Sequence, residues 1–409
     1  MPLKVFVVGA GIAGLTAATA LRQAGHEVEI FERSAFATEV GAAVAVFPNG
    51  ARVLSRLGFS FPNARPVAME SIQVLNGENL GLIQRGPFGS GHAQGIHRVD
   101  LHTELLRLAL EEGGNDGPAA KLHLSSEVVG AETDGTILLK NGETRKADLV
   151  VAADGLKSVL RNVVTKEAKP PTPTGLSSFR FLIDTSVLLA DDKMKATLER
   201  KERGACMLAD VRDMEKERHM MWYACRGGEV QNFVGIHPSR DVDGDDAEAV
   251  KASMLEEFSH FTPEVLEIVK HSSDVKCWPL FVHQPLSTWF NGRIVLIGDA
   301  AHPMLPFAGQ GSNLAMEDGG ALGHLFSGVD DVFAVPERLG LFQKARQARA
   351  ARVQILSSVR AGKEKEVEEQ LKAYSDPPGS KVPSNLVEHT IHDQSFDVFK
   401  KCEDVLAAA

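Results

Sequence analysis

KVFVVGAGIAGLTAATALRQAGHEVEIFE, residues 4–32, decides the fold of this chain. Lys4 to Val8 is a short β-branched and aromatic run of the kind that makes a buried strand. Gly9, Gly11 and Gly14 follow at G-x-G-x-x-G spacing, and Ile12 to Ala24 then reads as a helix rich in Ala and Leu, stopped by Gly25. Glu27 to Glu32 reads as a second strand. Strand, glycine turn, helix and strand form a Rossmann-type unit that cradles a dinucleotide. Gly9 permits the tight turn, Gly11 lets backbone approach a pyrophosphate, and Gly14 lets the helix pack close to the sheet. The helix N-terminus offers unpaired N–H groups and partial positive charge to phosphate. Glu32 is placed to accept hydrogen bonds from ribose hydroxyls. The glycine pattern does not say which dinucleotide binds.

Composition narrows the surroundings. The 409 residues are 44% hydrophobic and 24% charged, enough for two or three globular domains, and the net charge of −10 argues against nucleic acid or an anionic membrane as partner. The four cysteines, Cys206, Cys225, Cys277 and Cys402, are scattered without metal-ligand spacing and fit reduced thiols in a cytoplasmic protein. The apolar stretch Val5 to Leu21 is broken by glycines and fits a strand-turn-helix better than a signal peptide. No apolar run is long enough to span a membrane. "DVDGDDAEA" has Asp246 where a calcium loop needs glycine, so it reads as a solvated loop. No metal site is expected.

Beyond residue 32, Asn49 to Gly58 reads as a short helix and Met69 to Gln84 as a hairpin around Asn76-Gly77. Arg98 to Gly114 reads as a helix with an apolar stripe. The proline-rich "KPPTPTG", Lys169 to Gly175, marks a linker and boundary. "SSFRFLID", "CMLAD", "RHMMWYACR" and "VQNFVGIHP" then look like strands of another sheet. From Pro336 to Tyr374 the chain reads as helices whose basic "KARQARAAR" face is expected to meet solvent. A helical tail closes the sequence.

Two later segments bear on the ligand. "VVAADGLKSVLR" runs from a buried strand into Asp154-Gly155 and a helix start with Ser158 and Arg161. "RIVLIGDAAHPMLPFAGQGSNLAMEDG" runs from a strand through Asp299 and a glycine-rich turn into a helix opened by Gly311, Ser312 and Asn313. Both strand ends abut the same sheet. A nicotinamide nucleotide on a simple Rossmann unit needs neither segment, whereas a long cofactor with a sugar-alcohol chain has polar atoms far from its adenosine end. Gly41-Ala42-Ala43 lacks bulk, so backbone there can lie against a planar ring. "GGALGHLF" from Gly319 has no preceding strand and reads as helix packing.

With "VVGAGIAGLTAATALRQAGHEVEIFER" and "HRVDLHTELL", these motifs stand in the order of a known family. Over about residues 1–350 the chain resembles the single-component FAD-dependent aromatic hydroxylases, the group A flavoprotein monooxygenases, in their salicylate-hydroxylase-like branch, which includes many fungal secondary-metabolism enzymes. The resemblance implies an α/β fold like that of para-hydroxybenzoate hydroxylase: a Rossmann-type FAD-binding domain, an inserted β-sheet substrate domain and C-terminal helices. Residues 1–75, 97–170 and 280–335 would bind FAD, 76–96 and 171–279 would form the substrate sheet, and 336–409 the helical region. It implies Glu32, with Arg33, at the adenosine ribose, and Arg98 at the phosphate and ribityl region. Asp154 would lie near the pyrophosphate and Asp299 at the ribityl or pyrophosphate part. Ala43 and the Gly311–Asn313 backbone would face the flavin. The plainer alternatives are a helix-start ion pair for Arg98 and turn residues for Asp154 and Asp299.

The implied activity uses NADPH or NADH and O2 to hydroxylate a small aromatic, phenolic substrate through a C4a-hydroperoxyflavin, with the nicotinamide nucleotide binding only transiently. Tyr223, Arg218 and Arg180 are the candidates to hold or deprotonate the phenol, because a phenolate is the better nucleophile. His219 is a weaker one, and surface or core-edge roles are the plainer reading for each. His302 reads as structural or cofactor-adjacent, His283 and Trp289 as neighbours of the active site, and Trp278 and Pro279 as packing. An epoxidase or oxidative-rearrangement enzyme on this scaffold, and a flavin-binding module without turnover, are the competing readings. The absence of a Trp-x-Trp-x-Ile-Pro stretch disfavours a halogenase. Substrate identity, and whether the protein is a monomer or homodimer, stay open.

Overall fold

The structure, a computed structural model, describes residues 1–35, 42–88, 93–112, 117–201, 204–213, 215–240, 246–359, 363–380, 382–383 and 385–409. Gly41 and residues 241–245 of the acidic loop lie outside these.

A six-stranded sheet holds the strands in the order Phe290–Asn291, Ile294–Leu296, Leu149–Ala152, Lys4–Val8, Glu27–Phe31 and Lys121–His123. All neighbours pair in parallel except the short hairpin Phe290–Asn291 with Ile294–Leu296. Their near-continuous aliphatic runs suit a sheet covered on both faces. Val8 stands beside Phe31 and Ala152, and Ala152 beside Leu296, so four strands end level with one another. Gly9, Glu32, Asp154 and Asp299 therefore leave the sheet along one edge, the crevice where ligands of such sheets sit.

Helix Ile12–Gln23 follows the glycine turn and lies against helix Gly311–Phe326. Their backbones touch: a Cβ on Gly319 would come within 2.7 Å of the Ala17 nitrogen, and one on Gly323 within 2.6 Å of Ala20 Cβ. The "GGALGHLF" run is packing, as read.

The second sheet has seven strands, in the order Lys276–Val282, Thr172–Asp184, Val230–Pro238, His219–Cys225, Gly204–Ala209, Ser71–Asn76 and Leu82–Pro87. Its two faces follow from side-chain alternation. Phe179, Phe181, Trp222, Phe233, Cys206 and Leu208 form one core with helices Ala247–Glu257 and Pro263–Lys270. Burying each such aromatic stabilises the sheet by about 1.5–3 kcal/mol. Tyr223, Cys225, Val230, Leu182 and Met221 turn the opposite way, toward Ala43 and Phe47 of the cofactor-side unit.

Three expectations need correction. The expected hairpin exists, but its first strand, Ser71–Asn76, belongs wholly to the seven-stranded sheet, so by sheet membership the boundary falls before Ser71 rather than after residue 75. The stretch taken as a proline-rich linker is partly strand: Thr172 and Pro173 pair with Val282 and Phe281. Pro173 stands where the strand pairs on one side alone, since pairing with the other neighbour begins at Leu176, and proline is tolerated at such edge positions. The third is the basic face of helix Val335–Leu356, which does not meet solvent: Arg346, Arg349 and Arg352 are buried. Glu317, Asp318 and Asp393 compensate them.

Candidate active site

The glycine turn shows why its residues are glycines. Gly9 has φ +104°, and a Cβ there would meet the Ala153 carbonyl oxygen at 2.4 Å. A Cβ on Gly14 would fall 2.0 Å from the Gly9 oxygen. Glu32 faces this turn: one carboxylate oxygen accepts from the Ala10 N–H at 2.9 Å and the other from Ser34 N–H at 2.8 Å. Arg33 beside it is exposed. Buried His102 holds the turn from behind, its Nε2 2.7 Å from the Ala10 carbonyl oxygen. Sequence reading passed over His102 because a lone histidine on a helix gives no signal of what it faces.

The two acids at the neighbouring strand ends differ. Asp154 Oδ2 accepts from the Val159 and Leu160 N–H groups, while its buried Oδ1 has no partner in hydrogen-bonding geometry among the described residues. Burial pushes this carboxyl above its usual range against the Ser158 hydroxyl and backbone donors. Asp299 is exposed, with no ion pair or hydrogen bond to its carboxylate among the described residues. Its backbone is pinned: Arg161 donates to the Asp299 carbonyl at 2.7 Å and to the Ala300 carbonyl at 2.7 Å. Arg161 thus joins the two motifs read separately from sequence.

Helix Gly311–Phe326 begins without a side-chain cap, leaving first-turn N–H groups around Gly311, Ser312 and Asn313 open. The Asn313 side chain has another task. Its Oδ1 accepts from Phe47 N–H at 2.8 Å and its Nδ2 donates to Ala45 O and Gly309 O, clipping strand Ala43–Val46 to the glycine-rich loop. Gly50 makes room for that clip, since a Cβ would lie 2.4 Å from Asn313 Oδ1.

Behind this helix start lies a network that the sequence did not announce. Asn49 Nδ2 donates to Glu317 at 2.6 Å and to Gln310 Oε1 at 3.0 Å. Arg349 bridges Glu317 and Asp393, Arg346 lies against Glu317 and Asp318, and Asp318 also accepts from the Gly298 N–H and pairs with His302 at 2.7 Å. Burial opposes ionisation of Glu317 and Asp318, yet the arginines and, for Asp318, His302 hold both carboxyls below their usual range. The i, i+3 spacing of the arginines marked one helical face; only packing shows which way it points. Trp289, expected near the active site, lies in this core against His302 and Phe342. His283 contacts the Lys169 carbonyl.

Of the candidates in the second sheet, two converge and one does not. Tyr223 is buried and donates its hydroxyl to the Ala43 carbonyl at 2.8 Å, while Asn232 Oδ1 accepts from the Ala43 N–H at 3.0 Å. Together they grip one residue, through the peptides on either side of it, on the strand expected to face the flavin. Burial raises the Tyr223 phenol well above its usual range despite the Arg180 charge. Arg180 shares that face; burial lowers its pKa, with Tyr223 opposing and Arg98 reinforcing the shift. Arg98 opens helix Arg98–Leu110, its N–H donating to the Ala42 carbonyl. Arg218 points to the other face, where it pairs with Asp210 at 2.7 Å and Glu257 at 2.6 Å. Alternation within the strand separates Arg218 from Tyr223, which corrects its place among the substrate-holding candidates. His219, by contrast, reaches Phe307 of the glycine-rich loop, ring centroids 5.8 Å apart.

A glycine cradle, an orphaned buried carboxylate oxygen, an open carboxylate and an uncapped helix start along one sheet edge fit FAD. The fold and site define a flavin-binding protein of the hydroxylase architecture. Residues 2–356 match the family model described as FAD binding domain. Hispidin-3-hydroxylase of Neonothopanus nambi is 34% identical over 364 residues, covering 85% of this chain and 86% of the relative. The FAD-dependent monooxygenase phomE' of Diaporthe leptostromiformis is 32% identical over 393 residues, covering 92% and 96%. A solved salicylate hydroxylase substrate complex superposes with TM-score 0.74 at 24% identity over 99% of this chain and 98% of that one, a likeness of fold. The chain belongs to the FAD binding domain family, among its flavoprotein monooxygenases and hydroxylases. Among the described residues no helix is long and apolar enough to cross a membrane.

Proposed function

We propose that this protein is an NADPH- or NADH-dependent monooxygenase that hydroxylates an aromatic, phenolic molecule bound between the seven-stranded sheet and the flavin. Substrate C–H, O2, reduced nicotinamide nucleotide and a proton yield C–OH, water and oxidised nucleotide. FAD, when bound, supplies the redox chemistry that passes hydride equivalents from the nucleotide to oxygen. Glu32, Arg98, Asp154 and Asp299 would hold its polar chain, and the open N–H groups at Gly311–Asn313 would favour negative charge on the reduced ring by roughly 0.3–2 kcal/mol. In this reading residues 171–279 and the hairpin from Ser71 hold substrate, while residues 336–409 brace the cofactor-side unit from behind.

The observation that carries the proposal is the grip on Ala43. Tyr223 and Asn232 reach from the second sheet to the strand beside the glycine-rich loop, which supports a substrate face adjoining the redox site. The test is to purify the protein, record its flavin absorbance, and follow NADPH and NADH oxidation with a panel of phenols, seeking products heavier by one oxygen. A yellow protein that oxidises neither nucleotide with any ligand would favour a flavin-binding module without turnover.

A further inference from the structure

Helix Gly311–Phe326 is held at its start by a short segment, residues 47–49. Phe47 N–H reaches the Asn313 side chain, and the Asn49 side chain reaches Gln310 and Glu317. Residues 310, 313 and 317 follow i, i+3, i+7 spacing and so share one face of the helix. Gln310 is the N-cap residue: its carbonyl accepts the first helical bond, from Leu314 N–H at 2.9 Å, but its side chain does not cap the helix. It turns to Asn49 instead. Asn49, Gln310 and Glu317 are all buried.

The charge of Glu317 fixes how these amides are turned. A carboxylate only accepts, so Asn49 presents Nδ2 to it at 2.6 Å, and the second hydrogen on Nδ2 goes to Gln310 Oε1 at 3.0 Å. Glu317 Oε1 also accepts from Arg349 at 3.0 Å, and Arg349 donates to Asp393 at 2.7 Å. A continuous buried chain of side chains therefore runs from Asp393, on helix Leu386–Ser395, through Arg349, Glu317 and Asn49 to Gln310. It ends one residue before the open N–H groups of the helix start. Gln310 stands between Gly309, at φ +61°, and Gly311, so its own side chain is the handle by which this turn can be fixed. Donors aimed at a developing negative charge are effective only when they are held in place beforehand.

We propose that Asn49 is a positioning residue for the flavin: by clamping the Gln310 side chain to Glu317 it fixes the glycine-flanked turn and so aims the open N–H groups of Gly311–Asn313 at the reduced ring. The role rests on the assignment of that helix start to the flavin and is independent of which substrate is oxidised. Its test uses flavin binding and potential alone, so failure of turnover does not bear on it.

Titrating the full-length apoprotein with FAD gives its affinity for the oxidised form, and the midpoint potential of the bound flavin then gives that for the reduced form. Asn49→Leu, similar in volume but without the amide, should lower the preference for reduced over oxidised FAD by about 3- to 10-fold, within what a helix start contributes beside an anion. Gln310→Met should do the same while leaving Glu317 with Arg346 and Arg349, and it serves alone if Asn49→Leu does not fold. The double variant should lose no more than either single one, because the two side chains act as one unit. Arg218→Met, which breaks the ion pairs with Asp210 and Glu257, should lower thermal stability and leave the preference unchanged. Ser312→Asp puts a negative charge at the helix start and should lower the preference directly. If Ser312→Asp lowers it while Asn49→Leu and Gln310→Met do not, the positioning role is overturned and the flavin assignment stands. Additive losses in the double variant overturn action through Gln310. An unchanged preference in Ser312→Asp overturns the assignment of the helix start to the ring, and the role of Asn49 with it.

Discussion

The two ends of the carboxylate-bearing first half of helix Gly311–Phe326 treat polar groups in opposite ways. At the N-terminal end, N–H groups are uncapped and the nearby Asp299 carboxylate is exposed and unpaired among the described residues. A turn and a half further on, Glu317 and Asp318 are fully buried and met by Arg346, Arg349, Asn49 and His302. Burying ions is expensive, so the fold compensates each of them. Leaving donors and a carboxylate open at the crevice makes sense where a ligand completes them. The same contrast separates two arginines: Arg218, just before strand His219–Cys225, is satisfied by Asp210 and Glu257 and serves the fold, whereas Arg180 has, among the described residues, a hydroxyl and an indole but no carboxylate.

The sharpest way to break this contrast is to unpair the interior. Asp393→Ala removes the carboxylate shared by Arg349 and Arg352, and should cost about 3–5 kcal/mol of unfolding free energy in urea titrations. Acid should act in the same direction on the wild type. Asp393, Glu317 and Asp318 are buried, yet neighbouring cations hold their folded-state pKa values below those of the unfolded chain. Their stabilising contribution is complete above the ordinary carboxylate range near pH 4 and is lost as pH falls below it through the depressed values. Asp393→Ala should show a shallower acid slope in that window; an unchanged slope would remove Asp393 from the account.

The crevice should respond differently. Asp299→Ala should leave thermal stability of the apoprotein within about 0.5 kcal/mol of wild type, since among the described residues the exposed carboxylate makes no hydrogen bond or ion pair and has only a longer-range attraction to Arg161. FAD affinity should fall by about 10- to 100-fold, the worth of hydrogen bonds to a charged group. Full flavin occupancy at low FAD concentration would contradict the assignment.

Tyr223 joins the two regimes, being fully paired yet adjacent to the site. Tyr223→Phe removes one hydrogen bond to Ala43 and should cost about 0.5–1.5 kcal/mol. Product formed per nucleotide oxidised should fall by more than FAD content does. An unchanged ratio would confine Tyr223 to holding the fold.

How much of this could be read beforehand depends on the range over which each feature is set. The glycine turn, the strand-turn-helix order and the acids at strand ends are local, because steric room at Gly9 and Gly14 and capping chemistry at a helix start depend on near neighbours in sequence. Strands such as His219–Cys225 were likewise visible from their aromatic and apolar content. Which face a strand presents was not. Arg218 and His219 are adjacent in sequence and lie on opposite faces, and nothing local decides which face meets the flavin side. The arginines of "KARQARAAR" read as a surface because their partners, Glu317, Asp318 and Asp393, are distant in sequence.

By itself the sequence established a parallel dinucleotide-binding sheet and a second sheet downstream, because glycine spacing and hydrophobic period are properties of short segments, while FAD as the ligand followed from the family resemblance of its motifs. Tertiary structure alone decided that Asn313 clips two segments, that Arg161 ties both acidic turns together, and that Arg180 rather than Arg218 shares the Tyr223 face of the seven-stranded sheet. Those outcomes depend on strand register and on pairing between groups dozens to hundreds of residues apart, where a one-residue slip would exchange the two faces.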